Sequence, residues 1–557
     1  MANIKKIDKM ARKGLLLQAE EYETNNIVVI IRFQNIRGSW ISITIPIMKF
    51  RDPMQLYKIL SSKGFPFPSD YDTHDFCLEF SQYEFMQTSL LSSQTGWYKS
   101  LDEKYCYILP DSSYGADYYP VIYNQNVCDN KNVPSKGSLE EYIRLLELCK
   151  YSPPAILTVG VALASFCLFP FGAETFGIHL FGTSSIGKST LAKVASGIIG
   201  NPSDYIPWKT TEGGIEEACY THRDRLLVFD EAKLIANDRL KIAQRISDLS
   251  YFICAGQTKK RLKSYNRENN LYVGGWELTF ISTGEFGIIE NAQATGHLKD
   301  NGEKLRFIDV PAQMSEKYGI FSKLPDGYDD SKNLIHDINN ILLNNYGSLG
   351  REFVHCLASA LNEDADNLQQ NFCAHFDYFS NNIDVSVIGG YSQRFLSRFA
   401  FTYATLIQAK EWGLIPWSQK RIFKAIKKMY ALALNCIRDD KTILQEGLGI
   451  LEEKLSKDNE NYADLADLSS KEDIIAEWNN KKFFGKRIAT TLLWIIPSKT
   501  FKSWFMTPKQ CMLVEDYLDD LIDKDDEGFA LFSLGYKVRK RAIVLNNRKL
   551  KELLSKK

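Results

Sequence analysis

Through residues 1–136, short apolar runs alternate with polar turns. The runs at 27–33 and 40–45 are rich in the β-branched and aromatic residues of strands, and 54–63 reads as a helix. Ser69-Asp70-Tyr71-Asp72 between them reads as a solvated turn rather than a metal-binding carboxylate pair. The polar stretch 124–138, with Pro134 and Gly137, marks a boundary. A continuous apolar run, 156–169, ends at Pro170 and is too short to span a bilayer, so it predicts a buried helix. Phe176, Ile178 and Leu180 then alternate as in a buried strand. Leu191, Val194, Ala195 and Ile198 follow at helical spacing, closed by Gly200-Asn201-Pro202. Past 330 the pattern turns helical: Leu334, Ile338 and Leu342, then Phe353, Leu357 and Leu361, then Phe395, Phe399 and Leu406. A charged stretch, 456–473, reads as a linker. After it come a helix with Thr507 as N-cap and Pro508 in the first turn, and two strand-like runs, 529–534 and 538–545, hinged at Gly535. Helix plus basic hairpin (Lys537, Arg539, Lys540, Arg541) fits a small winged-helix domain. The pattern shows no internal repeats.

Between the strand at 176–181 and its helix lies GTSSIGKS. This run, Gly182, Thr183, Ser184, Ser185, Ile186, Gly187, Lys188 and Ser189, followed by Thr190, fits the phosphate-loop pattern G-x-x-x-x-G-K-[ST]. The glycines allow a tight turn whose N–H groups converge on phosphate oxygens, and the following helix adds its positive end. Lys188 is placed to bind the β- and γ-phosphates of ATP, and the Ser189 hydroxyl to hold Mg²⁺. A second buried run, 226–229, ends in Asp230 and Glu231. Asp230 suits a magnesium ligand and Glu231 the base that polarises the attacking water, which points to hydrolysis rather than binding alone. A third run, 276–281, ends in Ser282-Thr283-Gly284-Glu285, where Thr283 or Ser282 can sense the γ-phosphate.

Between the second and third runs, Lys259, Lys260, Arg261, Lys263 and Arg267 cluster around Tyr265. The cluster is either a solvated basic loop or a loop into a channel, with cations on DNA phosphates and Tyr265 stacking on a base. Lys+Arg and Asp+Glu both total 68, so any nucleic-acid site must be a local patch. The eleven cysteines form no C-x-x-C pair, and an odd count in so long a chain suits reduced thiols in a cytosol. His355, Cys356, Cys373 and His375 are zinc-ligand types on helical runs, where buried or satisfied side chains are the usual case, and no zinc is expected. The basic amino terminus leads into acidic residues and does not read as a signal peptide. A cytoplasmic protein without a membrane partner is expected.

The runs FGIHLFGTSSIGKST, YIPWKTT, LLVFDEA, ISTGE and GEKLRFIDVP closely resemble a bacterial and phage family of helicase-like AAA+ ATPases from mobile elements. That family is long catalogued as a domain of unknown function and is similar to the MCM-like cassette chromosome helicases. The likeness covers about residues 95 to 440. It implies an α/β fold: an AAA+ core with a parallel sheet between helices (137–325) and a helical lid (326–455). The residue pattern itself, outside the likeness, adds an α+β domain before it (1–136) and a helical or winged-helix-like domain after it (474–557). The resemblance further implies ATP with Mg²⁺, a homo-hexameric ring, and directional travel on single-stranded or forked DNA. Lys188, Ser189, Asp230, Glu231 and Thr283 or Ser282 fall on the catalytic positions. Arg306 falls on the arginine finger, and Arg394 or Arg398, or less directly Arg351, on the second sensor. A replication initiator or loader that binds DNA without unwinding it is the alternative reading. A remodeller of proteins fits less well, because the core insertion is basic.

Overall fold

The computed structural model describes residues 2–554 except 14, 22–24, 70–71, 87, 93–94, 100–102, 116–120, 124–132, 231–238, 258–274, 289–305, 384–390, 438–439, 456–461, 481–482, 489–490, 506–507, 519–530 and 536–537. β1 (Leu16–Glu21), β2 (Ile27–Gln34) and β3 (Trp40–Pro46) pair antiparallel; β3 alternates along its sequence, whereas β2 is buried on both faces from Val28 to Ile31 and reads as a continuous apolar run. With β4 (Thr88–Ser92) and, further along the chain, Val121–Tyr123, they make a five-stranded sheet with β3 at its edge. Helices Ala2–Arg12, Pro53–Ser62 and Thr73–Ser81 cover one face over a core rich in phenylalanine. Asp52 and Asp72 cap the last two helices, each carboxylate accepting from two backbone N–H groups. The turn expected at 69–72 thus ends in a helix cap.

β5 (Gly96–Lys99), β6 (Tyr105–Ile108) and β7 (Ser113–Tyr114) form a separate small sheet. It is fastened to the nucleotide core: Trp97 Nε1 donates to Phe166 O at 2.7 Å, and Asn362 exchanges hydrogen bonds with the Tyr105 backbone.

With Val121–Tyr123 as β8, the core strands are β9 (Phe176–Phe181), β10 (Ile206–Pro207), β11 (Leu226–Asp230), β12 (Thr279–Gly284) and β13 (Phe307–Pro311). Their order across the sheet is β10-β11-β12-β9-β13, with parallel pairing from β10 through β9. Both faces are buried, which is why the strands read as near-continuous apolar runs. On one face Trp208 stacks on Phe229 at 4.2 Å, above Phe280 and Phe307, under helices Glu212–Thr221 and Arg239–Cys254. On the other lies the helix Pro153–Phe171, to whose Val161 carbonyl Thr279 donates at 2.8 Å. This is the one described helix long and apolar enough to cross a membrane, and 83% of its most apolar 18-residue window is buried. Helices Ser331–Asn344, Ser348–Asn381 and Tyr391–Glu411 follow, the second kinked at Asp364.

The C-terminal unit begins near Lys427. The helix (Pro508–Tyr517) and the antiparallel hairpin expected there are present. They lie within a five-stranded sheet, β14 (Tyr462–Asp464), β15 (Phe483–Ile488), β16 (Thr491–Pro497), β18 (Val538–Asn546) and β17 (Leu531–Gly535), which is more sheet than a minimal winged helix needs. The linker expected at 456–473 is corrected over its described part. Tyr462 to Asp464 pair with β15, and Ser470 and Asp473 form a reciprocal capping box. Thr507 lies outside the described residues. A local repeat that the sequence pattern did not show also emerges. Both β3 and β16 end on a proline of nearly the same backbone angles (Pro46 φ −54, ψ 137; Pro497 φ −55, ψ 133). Each runs into a short helix and then a longer one that opens on Pro53 or Pro508.

Candidate nucleotide-binding site

The segment from Gly182 to Ser189 leaves the end of β9 and enters the helix Lys188–Ser196. Gly182 (φ +153) and Gly187 (φ +108) take backbone angles that a side chain resists, and Ser185 (φ +64) joins them. A Cβ on Gly187 would sit 2.9 Å from Ile320 Cδ1. That isoleucine belongs to a strap whose Ile320 N–H donates to Ile186 O at 3.1 Å, so the loop is held from behind. Lys188 Nζ donates to Gly182 O and Thr183 O, both at 2.7 Å, which sets its ammonium inside the curve of the loop. No side chain caps the helix at Gly187, and its first N–H groups point where an anion would lie. Ser189 in that first turn is exposed. Cation, helix N-terminus, hydroxyl and cradle match the phosphates of a nucleoside triphosphate with a divalent ion.

Asp230 ends β11, beside Pro207 of β10. Its side chain and Glu231 lie outside the described residues, as do Lys259, Lys260, Arg261, Lys263, Tyr265 and Arg267. Strand β12 separates β9 from β11 and runs further than the sequence suggested, so Ser282 and Thr283 lie within it. The two sensor candidates part company there, because neighbouring strand residues face opposite sides. Ser282 is fully buried, accepts from Trp208 Nε1 at 2.8 Å and lies 3.0 Å from His179 Nδ1. Its hydroxyl is an interior group. Thr283 pairs with Leu180 and Gly284 with Phe181, level with the start of the phosphate loop. One residue at this mouth was missed from sequence: Glu285 Oε1 accepts from Ser184 Oγ at 2.6 Å. Its place at the end of ISTGE was the available signal.

The arginines gather elsewhere. Glu174 precedes β9 at the end away from the phosphate loop, and Arg398 NH2 meets its carboxylate at 2.6 Å. Arg398, then Arg394 and Arg306, hold that carboxyl below the usual carboxylate range. Arg306 stands before β13 with its guanidinium 4.7 Å from the Tyr251 ring centre. The far end of β13 is fixed beside the end of β9, where Ala312 N–H donates to Phe181 O at 2.8 Å. Arg306, Arg394 and Arg398 therefore share a patch at the opposite end of the sheet from Lys188. Arg351 is occupied otherwise, bonded to both oxygens of Asp111 and to Ser112 Oγ and Val133 O. Of the zinc-type residues, Cys356 Sγ lies against Glu352 and His375 Nε2 stands 3.0 Å from Glu411.

Residues 16–270 match the family described as "Domain of unknown function (DUF927)". No curated protein matches the chain. Fifteen chains of solved structure do. One, described as "SCCmec type IV Cch - active helicase", superposes with a TM-score of 0.53 at 16% identity, over 96% of this chain and 93% of that one. Together these findings support the resemblance read from the sequence, to a mobile-element helicase-like family long catalogued as a domain of unknown function. At that identity the structural likeness speaks for the fold: a P-loop core on a parallel sheet, with a helical region after it.

Proposed function

We propose that this chain is an ATP-dependent DNA helicase or translocase of the MCM-like AAA+ type, working in the replication of a mobile element or phage. The observation that carries the reading is the strand order. With β12 between the phosphate-loop strand β9 and β11, Thr283 and Glu285 stand between the cradle and the end of β11 at Asp230. A γ-phosphate held at Lys188 would then have Thr283 on one side, with the end of β11 beyond it. Lys188 and the loop N–H groups hold the phosphates, and Ser189 and Asp230 hold Mg²⁺. Glu231 takes the proton of the attacking water as the γ-phosphoryl group leaves ADP. The helices from 331 to about 426 serve as the lid, shorter than the 326–455 expected from the sequence because the C-terminal unit begins near Lys427, and the basic residues from Lys259 to Arg267 contact DNA in the channel of a homo-hexamer. The arginine patch around Glu174, remote from its own phosphate loop, faces a neighbour's nucleotide. Arg394 and Arg398 thus act across subunits rather than on the nucleotide of their own chain.

The test is unwinding of a forked DNA with ATP and Mg²⁺, with Glu231→Gln and Lys188→Ala as controls. The parent chain should unwind. Glu231→Gln should bind ATP and lose turnover by roughly 10² to 10⁴-fold, the range of a lost general base. Lys188→Ala should lose nucleotide affinity as well. Parental turnover in Glu231→Gln would overturn the site. Turnover without unwinding would shift the reading to an initiator or loader.

A further inference from the structure

We propose that the N-terminal domain carries a single-stranded DNA site of its own, in the groove between helix Ala2–Arg12 and the β2–β3 hairpin. The choice of DNA rests on the motor reading above; the groove does not. It encloses about 710 Å³ and is rimmed by Lys9, Lys13, Arg32, Gln34 and Trp40, with no carboxylate among its described lining residues. Trp40 is 66% exposed, and Ile36 on the adjoining turn 77%. Register places Trp40 opposite Gln34, and Arg32 opposite Ser42. Strand alternation puts Arg32, Gln34 and Trp40 together on the sheet face opposite the one that carries buried Phe33 and packs on helix Ala2–Arg12, and all three line the groove. An indole, an amide and a guanidinium side by side present a stacking surface, a hydrogen-bonding edge and a phosphate contact.

The hairpin that carries them is braced. Asn35 Oδ1 accepts from Arg37 N at 3.0 Å and Ser39 N at 2.9 Å, and Gln34 Nε2 donates to Gly38 O at 2.8 Å. Lys9 and Lys13 lie one helical turn apart, where like charges repel and an anion between them relieves the repulsion. The phenylalanines beneath the groove (Phe33, Phe65, Phe76) are at most 7% exposed, so the ring offered to a ligand is that of Trp40. The cationic rim and the exposed indole suit a nucleic-acid strand, while the apolar side chains that also line the groove (Ile7, Met10, Leu15) would take the anchors of an acidic peptide, an alternative the test separates.

The test uses the full chain without nucleotide and a fluorescein-labelled dT 15-mer. Trp40→Ala should weaken binding about tenfold, within the range for loss of one stacked base, and Trp40→Phe should recover most of it. Replacing Lys9, Lys13 and Arg32 with Ala should lower the slope of log affinity against log salt by about 2. Bromodeoxyuridine in the 15-mer should photo-cross-link to Trp40. Unchanged affinity and slope in both variants, or no cross-link in this hairpin, would overturn the site. So would an acidic dodecapeptide whose binding needs Trp40 while dT binding does not, since that would give the groove to a protein partner. ATP turnover without DNA is read on the same preparation. Its absence would sink the ATPase reading and leave these binding results to judge the groove.

Discussion

Asp224 shows how one residue ties the small β5–β7 sheet to the core. It takes φ +55 just before β11, and its carboxylate, wholly buried, accepts from Trp97 N–H at 2.8 Å, with Arg223 Nε 3.3 Å away. Tyr107 OH donates to its carbonyl at 3.1 Å. Burial pushes the Asp224 pKa up from 3.8 to about 7, against the pull of Arg223. A carboxyl whose folded pKa is raised keeps its proton in the native state where the unfolded chain has lost it. Its contribution is therefore full below about pH 4 and lost as pH rises through 7, falling by about 1.4 kcal/mol for each pH unit in between. Asp224→Asn keeps a carbonyl acceptor, tolerates the left-handed backbone and carries no charge. Between about pH 5 and 8 the parent should lose melting temperature relative to this variant. An offset between them that stays constant with pH would refute the assignment. None of this was legible in the sequence, because the partners of Asp224 lie on another sheet far along the chain. The phosphate loop was legible because its chemistry needs fixed residues at fixed spacing on one strand–turn–helix. Glu285 fell between these cases: its motif was visible, but its bond to Ser184 needed the sheet. Ser282 and Thr283 could be told apart only once their faces were known.

Among the elements, the core strands and the helix Pro153–Phe171 followed the apolar pattern closely, since burial on both sides leaves little room for polar residues. The C-terminal unit was harder to read. Tyr462–Asp464 is a strand of three residues, too short for alternation to register, and its pairing with β15 is what joins it to the sheet. That sheet changes where a truncation should be made. A cut at 491 would remove β16, β17 and β18 and strand β14 and β15, exposing Phe483 and Ile474 from two buried clusters. The helix Asp440–Lys454 also belongs with this unit, since a Cβ on Gly447 would lie 2.4 Å from Val514 Cγ2. Removal of 440–557 is the cleaner deletion. It should weaken DNA binding or loading, measured by fork affinity, more than ATP turnover without DNA, because the basic hairpin Arg539-Lys540-Arg541 goes with it. A deleted chain that unwinds as the parent does would leave this unit a structural cap.

For the whole molecule, the deciding distance is the length of a core strand. Arg306 precedes β13, and the end of β13 meets the end of β9 where the phosphate loop begins. A strand of five residues spans roughly 16 Å. Arg306 therefore stands a full strand away from the phosphates held by Lys188 of the same chain, and a role in catalysis requires a second copy. Glu174 and the Tyr251 ring orient the patch and still leave Tyr251 54% exposed, as a surface meeting a neighbour would be. In that setting the guanidinium would offset charge that builds on the γ-phosphoryl group of the adjacent subunit, an effect worth roughly 10³ to 10⁵ in turnover. Arg306→Ala and Lys188→Ala should each be inactive alone, the first lacking the finger and the second the cradle. Mixed, some interfaces join an intact finger to an intact cradle, and part of the ATPase activity should return. Turnover per chain of the parent should also rise with protein concentration, because a lone subunit holds half a site. Full turnover from a dilute monomer, with no recovery on mixing, would exclude both the finger and the ring. Recovery that is lost again when Arg398→Ala is added to the Lys188→Ala chain would place Arg398 in the same shared site, since that chain supplies the only intact finger.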